Sequence, residues 1–483
     1  MPRLLRVAAL QSRTFEAADH ARGWEMLLAR IDEAIPGHAL LVIPEAAFPG
    51  WALISREAAG ALGLPPEETW SSALSERSRR TGCAIAFGVV RRDLDGALRN
   101  EFILFGPDGR TLAHAGERTA SGWFARGRGP ARAEIEGVRI GLIVGHDLAR
   151  RDLVRGLAGV HLLIAAAAPR AAGRPAGPEA STEADLLEAR AASLGAWAVV
   201  GGKCGSEGGL VHYAGGAGVL DPAGQWSVRA PATEPGVAST EIDIDQAPGP
   251  AIELAAAPAS STTETPRGTF RGTVAAVAFD PLPSAVESME RLRSLVRAAA
   301  AAGARAVVLP DLAGTDPRAV TAAETLPFIE ALSVETGVTL FAGMAERDEG
   351  ATYKTAYAVQ GGRVLAAHRQ SVLDRDERSA GFRAGEATPP VVTTSAGPVG
   401  LMCGSEGLVL AAPPGAGLVA WCAGDAAAPV GGTARATAIE DGVAVAAAGS
   451  TSRAGGGYVI DAAGRTLAAT PPGAALVATA SLA

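Results

Sequence analysis

The sequence predicts a layered α/β fold that occurs twice in one chain. Two observations carry this reading. Short runs rich in Val, Ile, Leu and Ala alternate with amphipathic helices of about three turns, the pattern of strands covered by helices. Five segments also recur in the same order. LLVIPEAAFPG at 40–50 returns as AVVLPDLAGTD at 306–316, and GCAIAFGVVRRD at 82–93 as GVTLFAGMAERD at 337–348. LFGPDGRTLAHAGER at 104–118 returns as VQGGRVLAAHRQ at 359–370, and the strand at 138–147 returns at 397–406. LGAWAVVGGKCG followed by GGAGVLDPAGQ returns as DGVAVAAAGSTS followed by GGGYVIDAAGR. Self-similarity of this extent marks a tandem duplication. With 483 residues, 48% of them apolar, the chain can bury two cores.

Taken in order, HARGWEMLLARIDEAI at 20–35 places Trp24, Leu27, Leu28 and Ile31 on one helical stripe. SAVESMERLRSLVRAAAAAG does the same in the second half with Val286, Met289, Leu292 and Val296. Gly-Pro-Asp-Gly at 106–109, Asp-Pro-Ala-Gly at 221–224 and Asp-Ala-Ala-Gly at 461–464 mark hairpin turns. Val138 to Asp152 reads as a buried strand, a sharp Gly-His-Asp corner and a helix carrying Leu148, Leu153 and Leu157 on one face. The run RRDLVRG at 150–156 reads as a solvated face of that helix. QAPGPAIELAAAPASSTTETPRG lacks any period and is rich in Pro, Ala, Ser and Thr, so it reads as a linker. The domains are therefore expected at 1–247 and 271–483, with the linker at 248–270.

Composition removes several classes of function. The formal net charge is −8 and no Lys/Arg cluster alternates with aromatics, which argues against nucleic acid as a partner. Cys83, Cys204, Cys403 and Cys422 are scattered without CxxC spacing, which argues against a disulfide scaffold or a zinc site. No other His/Asp/Glu spacing suggests a metal, and the Gly-rich runs lack a GxGxxG-plus-helix context, so no cofactor is expected. Gln11 interrupts the first apolar run, and Gly, Pro, Arg or Asp interrupt the Ala-rich runs. The expectation is a soluble, cytoplasmic protein without a membrane partner. Of the 43 basic residues only Lys203 and Lys354 are lysine, which suggests a coding bias.

Both halves resemble the nitrilase, or carbon–nitrogen hydrolase, superfamily over nearly their whole length. The marks are a strand ending in Pro-Glu, seen as VIPEAAFPGW with Glu45, and an Asn-x6-Pro-x-Gly hairpin, seen as NEFILFGPDG. A Gly-x-x-x-Cys-x-Asp corner is seen as GLIVGHD, and an Arg-Ala helix before a strand as EARAASLGAWAVV and TARATAIEDGVAVAA. The resemblance implies a four-layer α-β-β-α sandwich in each half. Family members commonly dimerise through helices beside the corner, so the two halves of this chain could form such a pair within one molecule.

The resemblance also implies a Glu-Lys-Cys catalytic set. A thiolate attacks the carbon, a carboxylate moves the proton, and a fixed ammonium steadies the developing oxyanion. In half one Glu45 is retained, the lysine position falls at or near Arg118 with Glu117 beside it, the cysteine position is Gly145, and Asp147 follows. The family's further glutamate has no evident match in TASGWFARG. In half two the corresponding residues are Asp311, Gln370, Gly404 and Glu406, with Glu377 a match for the further glutamate. Cys403 precedes the nucleophile position by one residue, which on a strand turns it to the other face, so it reads as a small buried apolar residue. Lys354, at the second half's asparagine position, reads as solvent-facing.

Loss of a hydrolase nucleophile costs on the order of 10⁶ in turnover. The leading expectation is thus a degenerate homologue: a pseudoenzyme binding a small polar ligand around Glu45, Arg118 and His146, or supporting a partner enzyme. Arg118 would then pair with a ligand carboxylate. The alternative is a carbon–nitrogen hydrolase, amidase or related transferase with an altered set around Glu45. Lys203 and Cys204 would be its rescue pair, since an ammonium lowers a neighbouring thiol's pKa, or His146 with Asp147 would activate water. A third possibility is a purely structural subunit of a homo-oligomer.

Overall fold

The computed structural model describes residues 2–16, 19–50, 67–93, 96–119, 124–168, 182–209, 211–247, 267–313, 321–424, 429–451 and 455–482. The chain divides into two compact units, Met1–Pro250 and Ala251–Ala483. Each contains two packed sheets with helices on their outer faces.

In the first unit the larger sheet runs, in spatial order, Val211–Gly215, Gly202–Glu207, Leu4–Arg13, Leu40–Val42, Ala84–Arg92, Leu98–Phe105 and Thr111–Gly116. Gly236–Asp243 also pairs with Leu4–Arg13, beside its residues 4–11, while Gly202–Glu207 takes residues 11–13. The second sheet runs Trp226–Arg229, Gly218–Leu220, Trp197–Val200, Leu162–Ala166, Val138–Val144 and Ala131–Ile135. The central strands of both sheets are parallel and read as unbroken apolar runs because both of their faces are covered.

Alternation along each strand then sorts the core into layers. Val7, Ala9, Val42, Phe102 and Leu104 meet Ile140, Leu142, Ile164 and Val199 between the sheets. Ala8, Leu10, Leu41 and Phe87 face outward onto helices His20–Ala34 and Glu67–Thr81, which supply Trp24, Leu27, Ile31, Trp70 and Leu74. On the other side, helix Thr182–Leu194 lies against the second sheet with Leu186 and Leu187 buried. The result is an α-β-β-α sandwich.

The second unit repeats this plan. One sheet runs Arg363–Arg369, Ala351–Gln360, Thr339–Asp348, Ala304–Asp311, Gly272–Val277 and Val477–Leu482. The other runs Val391–Thr394, Gly397–Cys403, Leu418–Gly424, Ala444–Gly449, Gly457–Ile460 and Thr466–Ala469. Cys403, Cys422, Ala356 and Ala358 lie in the layer between them, and helices Ala285–Ala301 and Ala322–Thr336 cover the first sheet. The Gly202–Glu207/Val211–Gly215 hairpin of the first unit has no counterpart among the described residues of the second.

Four sequence expectations shift. The stripe on Ala285–Ala301 is Ser288, Leu292, Leu295, Val296 and Ala299, leaving Val286 67% exposed. After the corner the chain makes a 3-10 turn, Gly145–Ala149, and only then a short helix, Arg151–Arg155, so 145–155 is not one helix. Arg151 is buried there rather than solvated. The expected linker ends early, because Phe270 is buried in the second core and Arg267 donates to the carbonyls of Ala412 and Pro413. The rest of that stretch, 248–266, lies outside the described residues. Among the described residues no helix is long and apolar enough to cross a membrane.

Candidate functional site

Glu45 leaves the strand Leu40–Val42 on a turn that packing holds down. Phe48 of that turn stacks on Trp24 with ring centroids 4.8 Å apart, inside the cluster with Phe87 and Trp70. Burying one such ring contributes roughly 1.5–3 kcal/mol, and here it anchors the segment carrying the carboxylate. The neighbouring strand must supply a glycine, since a Cβ on Gly88 would lie 2.2 Å from the Pro44 carbonyl oxygen and 2.7 Å from Glu45 Cα. Unit two uses the same device, for a Cβ on Gly343 would lie 2.8 Å from Asp311 Cα. Ala46 sits at φ 43°, a strained left-handed conformation for a residue with a side chain.

Around Glu45 the first unit gathers a buried polar cluster. Glu45 is 3% exposed; its Oε1 accepts from Asn100 Nδ2 at 2.6 Å and its Oε2 from the Ala168 N–H at 2.9 Å. The same Asn100 amide donates to Glu117 Oε2 at 3.0 Å, so one amide bridges two carboxylates. Glu117 Oε1 in turn accepts from the His146 N–H and stands 2.8 Å from His146 Nδ1. Burial pushes the Glu117 carboxyl up, but the His146 ring, the Asn100 amide and the His146 N–H outweigh it and hold the group below its ordinary value. The His146 side chain is 52% exposed and forms the outer edge of the cluster.

The residue of unit one equivalent to Gln370 is Glu117, not Arg118. The Glu117 N–H donates to the Asn100 carbonyl, as the Gln370 N–H donates to the Lys354 carbonyl in unit two. This equates Glu117 with Gln370 and Asn100 with Lys354. Counting from the hairpin glycines would have found it, since Glu117 follows Gly109 by the same interval as Gln370 follows Gly362. Arg118 is exposed, its aliphatic stem lies along Gly129, and its backbone N–H donates to Asp147. Nor does His146 pair with Asp147. That carboxylate accepts the N–H groups of Arg118 and Thr119 at 2.9 and 2.7 Å, and burial raises its pKa despite them. It pins the strand end that carries Glu117.

Gly145 and Gly404, the residues expected at the corner of each half, lie in the left-handed region, at φ +51° and +49°. A Cβ on Gly145 would lie 2.5 Å from Glu117 Oε1 and 2.7 Å from Glu45 Oε1. On Gly404 it would lie 2.2 Å from Gln370 Oε1. In both units, then, a side chain from the equivalent position, Glu117 or Gln370, reaches over the glycine.

In unit two Lys354 is only 3% exposed and does not face solvent. Its Nζ lies 2.7 Å from Asp311 Oδ2 and 3.0 Å from Glu377 Oε1. Burial works against the ammonium, but Asp311 and Glu377 together hold its pKa above the ordinary lysine value. Gln370 Nε2 donates to Glu377 Oε2 and to the Val372 carbonyl, both at 2.7 Å. Ser405 Oγ lies 2.9 Å from Asp374 Oδ2 and 3.1 Å from Glu377 Oε2. Glu377 also closes a capping box with Asp374 at the start of helix Arg375–Ser379. Glu406 accepts from His368 Nε2 at 2.9 Å and from the Ser371 and Cys403 N–H groups. Cys403 is fully buried between the sheets, where burial pushes its thiol well up.

Lys203 and Cys204 point to different partners. The Lys203 ammonium lies 2.7 Å from Glu207 Oε1, with both side chains 2% exposed, and 4.9 Å from the Tyr213 ring centroid. Cys204 Sγ donates to the Ser12 carbonyl at 3.6 Å, and burial raises its pKa, the reverse of an activated thiol. Among the described residues no group of three or more His, Cys, Asp or Glu side chains is placed to hold a metal.

The sequence model of the carbon-nitrogen hydrolase family matches residues 6–248 and again residues 273–483. The chain belongs to the carbon–nitrogen hydrolase family. Its two units are tandem copies of that family's domain. No curated protein matches it. Among solved structures it is similar to an amidase from Nesterenkonia sp., with 24% identity over 50% of this chain and 92% of that one, at a TM-score of 0.41. It is likewise similar to a mutant of that amidase with the acetamide moiety of fluoroacetamide on its active-site cysteine, at 23% identity, TM-score 0.40 and the same coverage. A third is a mutant of the amidase in complex with butyramide, at 24% identity, TM-score 0.40 and again 50% and 92% coverage.

Proposed function

We propose that this carbon–nitrogen hydrolase homologue does not perform cysteine-dependent bond cleavage, and that its first unit uses the inherited site to bind a small polar ligand. The supporting observation is the replacement at both nucleophile positions, where Glu117 and Gln370 extend into the space a cysteine side chain needs. A thiol is missing from the corner, and so is the room for one. Unit two fills its corresponding site with its own Lys354, Asp311, Glu377 and Gln370, which supports a role as a structural copy. In unit one Glu45, Asn100 and Glu117 remain as a buried acceptor-rich floor behind a half-exposed His146. Arg118 faces away, so a ligand carboxylate has no partner in it. The ligand is expected to present hydrogen-bond donors.

One observation favours a second reading. The His146 ring rests on Glu117 at 2.8 Å, a carboxylate–imidazole pair that can draw a proton from water and so hydrolyse a substrate without a covalent step. A panel of aliphatic amides, nitriles and carbamoyl compounds, assayed with the full chain and its Glu45→Gln variant, separates the two. The expected result is no turnover by either protein. Turnover abolished by Glu45→Gln would overturn the proposal, and its further loss in His146→Ala would assign the work to the imidazole.

A further inference from the structure

The two units solve the same electrostatic problem in different ways. In unit two Ala351–Gln360, the second strand over from the one that ends in Asp311, supplies Lys354, whose ammonium lies between Asp311 and Glu377. In unit one the equivalent residue is Asn100, and the flanking acids are Glu45 and Glu117. The second acid comes from the lysine position itself rather than from the loop after it. Asn100 contributes one amide nitrogen to two carboxylates, whereas Lys354 carries a full positive charge and three donors. Asn100 is 1% exposed, and its Oδ1, on the amide that bridges both carboxylates, accepts from no donor among the described residues. A buried acceptor of that kind is costly unless something donates to it.

Building on the ligand-binding reading above, we propose that the first unit binds the ammonium group of a small primary amine between Glu45, Glu117 and Asn100 Oδ1. The ligand nitrogen there plays the part that Lys354 plays in unit two. The recognised feature is a compact –NH₃⁺ with three donors, directed at two carboxylates and one amide oxygen. Entry lies past His146, the exposed member of the cluster. Charge-assisted donors of this kind form the stronger class of hydrogen bond, which separates an amine from its isosteric amide.

Calorimetry and thermal melting of the full chain with n-butylammonium chloride, butyramide and sodium butyrate, at matched ionic strength, test this. The expected result is binding of n-butylammonium about tenfold tighter than butyramide, with no binding of butyrate. Glu45→Gln is expected to remove that preference. Asn100→Lys, which installs the internal ammonium of unit two, is expected to abolish n-butylammonium binding while raising the melting temperature. Equal binding of butyramide, or n-butylammonium binding unchanged in both variants, would overturn the amine assignment. Butyramide binding that Glu45→Gln weakens, with no preference for the ammonium, would overturn it too while leaving the small-ligand reading in place. Silence from all three probes would overturn both.

Discussion

Lys354→Met will destabilise the second unit by about 3–5 kcal/mol, because it leaves Asp311 and Glu377 buried without their shared counter-charge. The loss will depend on pH in a recognisable way. In the native chain the Lys354 pKa is raised by its two acids, so its contribution is complete below the unfolded lysine value, about 10.4, and disappears only as pH rises through the folded one. Stability from this group is thus flat across neutral pH. In Lys354→Met the acids dominate instead. Burial already raises the Glu377 pKa, and without the ammonium it rises further. Groups with raised folded values bind more protons when native, so the variant gains stability as pH falls toward about 4.3. Urea denaturation at several pH values would show a deficit largest near neutrality and shrinking on acidification. A deficit independent of pH would mean that lost packing, rather than uncompensated charge, is responsible.

Gly145→Cys will give no cysteine-dependent amide turnover. The new Cβ meets Glu117 Oε1 and Glu45 Oε1 well inside contact distance, both held by hydrogen bonds, on a backbone at φ +51°. The expected cost is about 1–3 kcal/mol, with no amide turnover. Glu117→Lys removes the nearer obstacle and supplies the family's ammonium. The double variant should therefore be more stable than the sum of the single changes by about 1 kcal/mol or more. A double-mutant cycle measured by urea denaturation decides it. Strict additivity would mean that the two positions are not energetically coupled, and that the overlap with Glu117 is not what excludes a side chain at Gly145.

The fold was legible because its signals are local and repeated. Strand-by-strand alternation, hairpin turns and five recurring segments identify the sandwich and its duplication, and the family model spans both copies. The buried place of Glu45 and the corner glycines Gly145 and Gly404 lie inside short recurring segments, which is why the sequence draws attention to them. Arg118 was taken where Glu117 is the residue equivalent to Gln370; the interval from the hairpin glycine separates the two, and the hairpin register shows that Glu117 turns inward. Lys354 was misread as solvent-facing, although the strand carried the signal. Lys354, Ala356 and Ala358 share one face of Ala351–Gln360, and both alanines lie in the layer between the sheets. What the strand could not show is that Asp311 and Glu377, distant in sequence, wait at that spot. The pairing of His146 with Glu117 rather than with its neighbour Asp147 is hidden in the same way: the 3-10 turn after Gly145 decides it.

Lys203 and Lys354, the two lysines of the chain, each lie buried in an ion pair with a glutamate, one in each unit. For amine chemistry the folded surface is therefore blank at its side chains. Acylating reagents, lysine crosslinkers and lysine-specific proteases have no exposed ε-amine to act on until a unit opens. Each unit thus carries a single built-in tag, and the order in which Lys203 and Lys354 become acylated under rising denaturant would report which half of the duplication gives way first.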